Sequence, residues 1–184
     1  MKKIPTIFKR DETRGGKIKD EYVVQPDTLK DAIATEKIDG TNVRVTIRNH
    51  TVVRVEKRRN PDKVQKYKGI IEPWYIDASE SSEDKHIMAC VKGTDYSNIP
   101  DGEWSGEAAG LNIQGNPLNL DTNKVVFFTL GQCPAFENVP LTFEGLKEWL
   151  PLQKSKVGKD CGIEGIVWHC PNGDMVKIKT KDFK

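Results

Sequence analysis

The sequence predicts an α+β fold in which antiparallel sheets are flanked by a few helices. Asn42–Arg48 and Thr51–Lys57 both alternate apolar and polar residues, and the turn-forming pair Asn49-His50 joins them as a β-hairpin. A second hairpin is predicted from Ile163–His169 and Asp174–Lys179, which are separated by a short segment rich in Pro, Asn and Gly. The alternation of strand and helix that a parallel sheet requires is absent from the sequence, so the antiparallel class is favoured.

The remaining elements are predicted from shorter patterns. Ile33–Lys37 is predicted as a strand that runs into a turn, and Lys124–Leu130 as a short, largely buried strand. Apolar residues at helical spacing predict helices over Ser81–Lys92 and over Thr142–Leu150, the second beginning with a threonine suited to an N-cap. Asn60–Ser79 follows neither period, and no element is assigned to it.

Length and composition favour one folded domain without a membrane anchor. The 184 residues are 36% hydrophobic and 30% charged, which lies within the range of folded globular proteins. The four cysteines form no C-x-x-C pair and no zinc-ligand spacing, so reduced thiols are expected. The sequence contains no apolar run of signal-peptide or membrane-spanning length, and we expect a cytoplasmic protein.

Positive charge is concentrated in two segments although the net charge is only +2. Lys57–Lys68 holds six Lys or Arg against one Asp, and Lys177–Lys184 holds four Lys against one Asp. Such segments most often form a solvated face, but they also suit the phosphate backbone of a nucleic acid. The choice between these interpretations depends on the chemistry encoded beside them.

A lysine at the end of a predicted strand is the first candidate for that chemistry. The chain has no G-x-x-x-x-G-K-[ST] loop, so a nucleotide would need to be held by side chains. Lys37 lies at the end of its strand, directly before the turn-forming Asp39-Gly40, and could project into a cleft. A solvated lysine is the common alternative for this short pattern alone.

Two glutamates and a lysine pair add to the pattern. Glu107 is flanked by small residues that would let a ligand approach, although an exposed glutamate in a glycine-rich turn is the alternative. Glu164 opens the first strand of the second hairpin. Lys177 and Lys179 point to the same side of its partner strand, because side-chain direction alternates along a strand. Such a pair suits an anion, or deters aggregation at a sheet edge.

Four short motifs, taken in order, resemble those of the covalent nucleotidyltransferase superfamily, which contains DNA ligases, RNA ligases and mRNA capping enzymes. They are Lys37-Ile38-Asp39-Gly40, Gly106-Glu107, Glu164-Gly165 and Lys177-Ile178-Lys179. The stretches GEAAGLNIQGNP and EGIVWHCPNGDMVKIKTKDF are similar to ATP-dependent RNA ligases, especially small ones consisting of the adenylation domain alone. The resemblance implies a single adenylation domain over residues 1–184 with a nucleotide cleft, and no C-terminal OB or other accessory domain.

The resemblance also implies the role of each residue. Lys37 would be the catalytic nucleophile that carries AMP from ATP, and Glu164 and Glu107 would serve Mg²⁺, for which Mn²⁺ could substitute. Nucleotide contacts are expected from residues in or near the motifs: Glu36, Ile38, Asn42, Arg58, Glu107, Phe127, Glu164, Lys177 and Lys179. Arg59 is the alternative to Arg58. For the aromatic that stacks on adenine, strand alternation favours Phe127 over Phe128, whereas the family pattern often places the aromatic at the position of Val125.

The expected substrate is RNA with a 5′-phosphate and a 3′-hydroxyl, as in RNA repair. A nick-sealing DNA ligase, or another polynucleotide adenylyltransferase, is the alternative within the superfamily. A GTP-using capping enzyme is disfavoured because it needs a downstream domain. A nucleic-acid end-binding module without catalysis is the alternative of another class. The sequence leaves the oligomeric state and the physiological RNA open.

Overall fold

The structure, a computed structural model, describes residues 3–11, 13, 15–129 and 131–183. It confirms the α+β class, because strands predominate, the helices are few and every pairing between named strands is antiparallel. The strands are β1 (Phe8–Asp11), β2 (Lys17–Tyr22), β3 (Ile33–Glu36), β4 (Thr41–Arg48), β5 (Thr51–Arg59), β6 (Trp74–Asp77), β7 (Gly102–Ala109), β8 (Lys124–Phe127), β9 (Gly165–His169) and β10 (Met175–Lys179). The helices are α1 (Lys63–Tyr67), α2 (Lys85–Lys92) and α3 (Phe143–Trp149), with short 3₁₀ turns at Pro26–Leu29, Leu150–Leu152 and Thr180–Phe183.

The chain divides into two compact units. One, here called the middle unit, contains Asp39–Gln132 together with Lys3. The other, here called the flanking unit, contains Ile4–Ile38 and Cys133–Lys184. The expectation of a single adenylation domain without an accessory domain stays a prediction.

The flanking unit is built on a three-stranded sheet in the order β10-β9-β3. One face of this sheet is apolar, because Ala34, Ile166, Trp168 and Ile178 point to the same side and are buried in one core. Helix α3 adds Leu146 to that core. It begins at an N-cap in which Thr142 Oγ1 accepts a hydrogen bond from Gly145 N at 3.2 Å, as the sequence predicted.

The middle unit is built on a five-stranded sheet in the order β6-β5-β4-β7-β8. Its apolar face carries Val43, Val45 and Phe127, which pack with Ile87 and Cys90 of α2. Helix α2 is amphipathic, so burying its apolar stripe on the sheet forms the core of this unit. The opposite face of the sheet carries polar residues.

The predicted hairpins are confirmed and several other elements were missed. Strands β4 and β5 meet at Asn49 and His50, whose φ angles of 49° and 56° suit a two-residue hairpin turn. Strands β1, β2 and β7 were not predicted, and the unassigned segment 60–79 contains α1 and β6. The strand predicted over Lys124–Leu130 ends at Phe127, and Leu130 lies outside the described residues.

Two further expectations concern thiols and membranes. All four cysteines are free, and burial raises the pKa of the Cys90 thiol to about 11, so this group stays protonated in the core at neutral pH. None of the helices in the described part of the chain has the length and hydrophobicity that a membrane crossing requires.

Candidate active site

Lys37 follows β3 directly, where the backbone still belongs to the sheet of the flanking unit. Its amide nitrogen donates a hydrogen bond to the carbonyl oxygen of Gly165 at 2.9 Å. This bond fixes the direction in which the side chain leaves the strand. The side chain keeps 20% of its surface exposed, so the amine is held close to the protein without being sealed off from solvent.

Glu164 connects the two lysines on which the sequence prediction depended. Its Oε2 accepts a hydrogen bond from Lys37 Nζ at 2.5 Å, and its Oε1 pairs with Lys179 Nζ at 2.5 Å. Lys37 and Glu164 lie 127 residues apart in the sequence, yet the flanking unit places them in direct contact. The structure therefore brings together Lys37, Glu164 and Lys179, three of the site residues that the motifs predicted.

Two opposing effects set the charge of Glu164. Burial is the largest single effect and raises the pKa of its carboxyl, since only 10% of the side chain is exposed. The positive charges of Lys37 and Lys179, together with the hydrogen bonds that both amines donate, lower it by more. The net pKa lies below the ordinary value of 4.5, and the group is a carboxylate at neutral pH.

Gly165 allows β9 and β10 to approach closely at this site. A Cβ at this position would lie 2.0 Å from the carbonyl oxygen of Ile178 and 2.8 Å from the Cα of Lys179. Only glycine fits that separation without moving the backbone. Lys179 is further fixed by Asp182, whose Oδ2 accepts a hydrogen bond from its amide nitrogen at 3.0 Å and whose Oδ1 binds Arg10 at 2.8 Å.

Lys177 shares a sheet face with Lys179, as strand alternation predicted. It pairs with Val167 of β9, which in turn pairs with Thr35 of β3. Residues directly opposite each other point to the same side of a sheet, so this face carries Lys177, Lys179 and the residue after β3, Lys37. The backbone of Lys177 also bonds the N-terminal segment, donating to Pro5 O at 2.9 Å.

The two residues beside Lys37 point away from solvent. The carboxylate of Glu36 is buried and accepts hydrogen bonds from Ser155 Oγ and from the amide nitrogen of Lys156, the latter at 2.8 Å. It thereby anchors the loop at residues 154–162 to the strand that ends at Lys37. Ile38 is buried as well. Direct nucleotide contacts by Glu36 and Ile38 stay predictions. In the structure, the Glu36 carboxylate binds the loop that contains Ser155 and Lys156.

In the middle unit, Asn42 and Glu107 lie on the polar face of the five-stranded sheet. Asn42 of β4 stands opposite Glu107 of β7, which stands opposite Val126 of β8. The sequence left open that Glu107 occupies a glycine-rich turn, and the structure instead places it within an eight-residue strand. Gly40 packs against the same strand, because a Cβ there would lie 2.2 Å from the carbonyl oxygen of Ala108.

A hydrogen-bonded group surrounds Asn42 on this face. The hydroxyl of Tyr75 donates to Asn42 Oδ1 at 2.9 Å and lies 3.1 Å from Ser105 Oγ. Arg44 stacks over the ring of Tyr75 at 4.6 Å and binds the buried carboxylate of Glu56 through two nitrogens, at 2.6 and 2.7 Å. These contacts hold Asn42 in one orientation.

Arg58, rather than Arg59, shares that polar face. It stands opposite Tyr75, two positions along β5 from Glu56, so alternation directs Arg59 to the other side. Arg58 is exposed and makes no side-chain hydrogen bond or ion pair within the described part of the chain. Its guanidinium is therefore available to an anion.

Phe127 lies on the apolar face of the five-stranded sheet. Strand alternation was expected to direct its ring toward a bound adenine, and its observed direction differs from that expectation. It stands opposite Gly106, not Glu107, and its ring is fully buried against Tyr96 at a centroid distance of 6.4 Å. Val126, which stands opposite Glu107, is the β8 residue whose side chain points to the polar face of the sheet. Because the predicted strand was not tied to a partner, its facing direction could not be read from the sequence. The stacking role of Phe127 stays a prediction that its buried position does not support.

In the flanking unit, Glu164 is the predicted residue that would hold a divalent metal. Groups of three or more His, Cys, Asp or Glu side chains suited to a metal ion are absent among the residues that the structure describes. Mg²⁺ is commonly held by one or two carboxylates together with water and substrate phosphates. Glu164 fits that mode, since it is a carboxylate at neutral pH and lies beside two lysines that suit phosphate. Glu107, in the middle unit, stays a predicted metal residue.

Sequence reasoning missed the residues that support the predicted ones. Tyr75, Ser105 and the Arg44–Glu56 pair have no motif, and Ser155 lies far in sequence from the carboxylate that it binds. The Arg44–Glu56 pair could not be found by counting outward from the Asn49-His50 turn, which places Arg44 opposite Val55. A register shift between Thr46 and Ile47 pairs Arg44 with Glu56 instead.

Comparison with known families shows which family the chain belongs to. A model of the RNA ligase 1 family matches residues 76–183, which is more than half of the chain. The chain belongs to the RNA ligase 1 family. The matched segment includes Glu107, Glu164, Lys177 and Lys179, whereas Lys37 precedes it.

Curated members of the RNA ligase 1 family match a shorter part of the chain. RNA ligase 1 of Pongo abelii is 40% identical over 79 residues, and that of Rattus norvegicus is 37% identical over the same length. The match with RNA ligase 1 of Mus musculus is 35% identical over 82 residues. In each case the match covers 41% of this chain and 23% of the relative, so the matched part spans about a quarter of the length of these proteins.

Solved structures share the fold of this RNA ligase 1 family member. The RNA ligase of Naegleria gruberi with pyrophosphate superposes with a TM-score of 0.52 at 15% identity, covering 83% of this chain and 50% of that one. An apo structure of a point mutant of the same Naegleria gruberi enzyme gives a TM-score of 0.50 at 14% identity, with the same coverage. At this identity, the similarity shows a shared fold.

Proposed function

We propose that this chain is an ATP-dependent RNA ligase that forms a covalent lysyl–AMP at Lys37. The observation that carries the proposal is the contact of Glu164 with both Lys37 and Lys179. A lysine nucleophile needs a group that holds its amine in place and a cation that stabilises charge on the phosphoryl oxygens. The flanking unit provides both within one hydrogen-bonded group.

In the first step, the neutral amine of Lys37 attacks the α-phosphorus of ATP. The N–P bond forms, the bond from that phosphorus to the bridging oxygen breaks, and pyrophosphate leaves in line. Negative charge grows on the oxygens of the transferred phosphoryl group, and Lys177 and Lys179 lie on the sheet face that Lys37 joins. The Naegleria gruberi RNA ligase of similar fold was solved with pyrophosphate, the leaving group of this step.

Glu164 controls the amine before attack. Its Oε2 accepts a hydrogen bond from Lys37, which is favourable while Lys37 is an ammonium ion. The ammonium proton must pass to solvent water before the nitrogen lone pair can attack, so the ion pair with Glu164 must be released as ATP arrives. Mg²⁺ held by Glu164 and the phosphates of ATP would supply positive charge that neutralises the phosphoryl oxygens.

The later steps require RNA. An oxygen of the RNA 5′-phosphate attacks the phosphorus of lysyl–AMP, which breaks the N–P bond and joins AMP to the RNA through a pyrophosphate linkage. The 3′-hydroxyl of a second end then attacks the phosphorus of the RNA 5′-phosphate, and AMP leaves. Arg58, exposed and without an internal partner in the described residues, is proposed to hold a phosphate in these steps.

Labelling with nucleotide tests the first step. Incubation of the full chain with α-³²P-ATP and Mg²⁺ should label wild-type protein, and Lys37→Ala should remove the label. Lys37→Arg should also fail, because a guanidinium stays protonated at neutral pH. Labelling of Lys37→Ala would refute the assignment, and labelling by α-³²P-GTP in place of ATP would indicate another nucleotidyltransferase.

Joining assays test the substrate. We expect 5′-phosphorylated RNA ends to be sealed faster than matched DNA ends in nicked or single-stranded form. Faster sealing of nicked DNA would favour a DNA ligase. A chain that binds 5′-phosphorylated RNA but neither labels nor joins it would be an end-binding module.

A further inference from the structure

The surface of helix α1 is both apolar and basic. No residue of this helix belongs to either hydrophobic core of the described part of the chain. None of the residues of α1 is buried, and Tyr67 is 94% exposed. Val64 and Ile71 are exposed as well, at 62% and 69%. Apolar residues on a surface element without a packing role mark an interaction site when they cluster. We call Lys63, Val64, Lys66, Tyr67, Lys68 and Ile71 the α1 patch.

The α1 patch is held in a defined shape although it contributes nothing to the core. The side chain of Asp62 accepts a hydrogen bond from Gln65 N at 2.8 Å, and the side chain of Gln65 accepts one from Asp62 N at 3.0 Å. This reciprocal capping box fixes the first turn. The helix ends before Gly69, whose φ of 83° is left-handed, and Ile70 N closes the end by bonding Gln65 O at 2.9 Å.

Three lysines supply the positive charge of the patch. In the described part of the chain, Lys63, Lys66 and Lys68 form no ion pair and no side-chain hydrogen bond. Some exposed lysines elsewhere are paired with carboxylates, as Lys30 is with Asp27 and Lys92 with Glu80. Others, such as Lys17 and Lys85, are also unpaired in the described part of the chain, so it is the clustering around Tyr67 that distinguishes the patch. The patch therefore holds three uncompensated positive charges around one exposed aromatic ring.

The spacing of residues along α1 places the ring of Tyr67 beside a lysine. Residues three or four apart are neighbours on a helix surface, so Tyr67 is adjacent to Lys63 and Val64. An aromatic ring beside an ammonium group can stack on a base while the amine contacts the neighbouring phosphate. A duplex does not offer a base face along its length, whereas a single strand does. The combination therefore suits unpaired nucleotides.

We propose that the α1 patch binds a single-stranded segment of the RNA substrate, with Tyr67 stacking on a base and Lys63, Lys66 and Lys68 contacting phosphates. This inference rests on the proposed function, because it assigns a position for the RNA of that reaction. Arg58, proposed to hold a phosphate, lies in the same unit, on the strand that precedes α1.

Fluorescence anisotropy with three probes tests this proposal in the full chain. The probes are a 5′-phosphorylated single-stranded RNA, an abasic ribose–phosphate oligomer of the same length, and a blunt RNA duplex. Tyr67→Ala should weaken binding of the single strand roughly fivefold or more, since stacking contributes at about this level per base. Its affinity for the abasic oligomer and the duplex should match that of wild type, because these probes offer no base face to the ring.

Two controls make the result specific. Tyr67→Phe keeps the ring and should bind the single strand as wild type does. Val53→Ala removes an exposed apolar side chain from β5 of the same unit, and should also have no effect. Across a KCl series, Tyr67→Ala should lower affinity without changing the slope of log Kd against log salt, because stacking releases no counterions.

Several outcomes would overturn the proposal. Equal affinities of wild type and Tyr67→Ala for single-stranded RNA would show that the patch serves another purpose, such as binding a protein. An equal loss on the abasic oligomer would show that the ring does not stack on a base. Self-adenylation of the same preparations separates the two proposals: absence of lysyl–AMP in wild type would refute the proposed function, whereas the role of Tyr67 is decided by the Kd values alone.

Discussion

Glu164 is a largely buried carboxylate that pairs with two lysines of the flanking unit. It carries one negative charge between the amines of Lys37 and Lys179, each at 2.5 Å. Removing that charge would leave two ammonium groups near each other with no compensating anion. Removing one partner of a largely buried ion pair lowers the free energy of unfolding by more than an exposed ion pair contributes to it, because the remaining lysines keep their partly buried charges.

This linkage predicts a pH-dependent stability difference for Glu164→Gln. The folded-state pKa of Glu164 is below its ordinary value of 4.5, so its ionised form contributes stability above the unfolded pKa and that contribution is lost as pH falls through the folded pKa. We expect Glu164→Gln to unfold at lower urea concentration than wild type at pH 7. The difference should shrink at an acidic pH below the folded-state pKa, where the wild-type carboxyl is protonated and resembles the amide.

Urea titrations of both proteins at the two pH values check this directly. Glu144→Gln is the matched control, since Glu144 is exposed and pairs only with its neighbour Lys147 on α3 in the described part of the chain. A stability difference for Glu164→Gln that is equally large at both pH values would mean that shape, rather than charge, distinguishes the two side chains.

A second prediction for Glu164 concerns metal use. Glu164→Ala should retain the fold, form lysyl–AMP slowly and require a higher concentration of Mg²⁺ or Mn²⁺ for half-maximal labelling, because phosphate oxygens and water alone would then hold the ion. A titration of each metal at saturating ATP measures the shift. Labelling at limiting metal that equals that of wild type would contradict the role.

At the scale of elements, what could be predicted depended on whether the defining contacts were local. Strands β4 and β5 were predicted because their alternation and their Asn49-His50 turn lie within one short stretch. Strand β7 was missed because its glycines and small residues have low strand preference. It is a strand because β4 and β8 pair with it on both sides, and the sequence does not reveal those partners.

The same distinction applies to the site. Lys37, Glu164 and Lys179 could be predicted because each belongs to a short motif, and the structure places them in contact. The hydrogen bond from Tyr75 to Asn42 could not be predicted, since the two residues lie 33 positions apart and neither is part of a recognisable pattern. The burial of Phe127 could not be predicted for the same reason, because the side to which its ring points is set by the pairing of β8 with β7.

The close approach of β9 and β10 leads to a prediction for Gly165. In Gly165→Ala the new methyl group would lie 2.0 Å from the carbonyl oxygen of Ile178, so the backbone of β10 must move. We expect a loss of about 1–3 kcal/mol in the free energy of unfolding, typical of overpacking. Lysyl–AMP formation should fall further than the folded fraction, because Lys179 shifts with its strand.

Gly162→Ala is the matched control for this change. A Cβ at Gly162 would meet only the carbonyl oxygen of Gln153, at 3.6 Å, which is ordinary contact. Urea unfolding and nucleotide labelling of the two variants should therefore differ. If both variants behaved like wild type, the strand separation at Gly165 would not be a constraint on the site.

At the scale of the whole molecule, the charge distribution matters more than the net charge. The chain has 29 Lys and Arg against 27 Asp and Glu, so a long-range positive field is not expected. Local pairing decides which cations can bind a ligand. The first basic segment, Lys57–Lys68, contains both kinds, because Lys57 is paired with Glu83 and Asp84 whereas the lysines of the α1 patch are unpaired in the described part of the chain.

The second basic segment, Lys177–Lys184, is divided in a similar way. Lys179 is paired with Glu164 at the candidate site, Lys181 is part of the closing 3₁₀ turn, and Lys184 lies outside the described residues. The segment is therefore tied to the proposed nucleotide chemistry through Lys179. The lysines of the α1 patch are the better candidates for contacts with RNA alone.

Simultaneous replacement of Lys63, Lys66 and Lys68 by Ala tests that division. If the three lysines contact RNA phosphates, the variant should join 5′-phosphorylated RNA more slowly than wild type, and its rate should depend less on salt. Each lost contact with a single strand lowers the log–log salt slope by about 0.7, so the slope should fall by up to about 2. Self-adenylation, a step without RNA, is the internal reference for each preparation.

The joining rate is measured across a KCl series on both unadenylated and pre-adenylated RNA, so that a defect in RNA binding is separated from one in nucleotide transfer. Lys92→Ala is the control, because it removes an exposed lysine of the same unit that already pairs with Glu80. If the triple variant joined both substrates as fast as wild type at every salt concentration, the lysines of the α1 patch would form only a solvated face. A reduced rate with an unchanged salt slope would also contradict phosphate contact, since it would indicate a change of structure rather than a loss of charge.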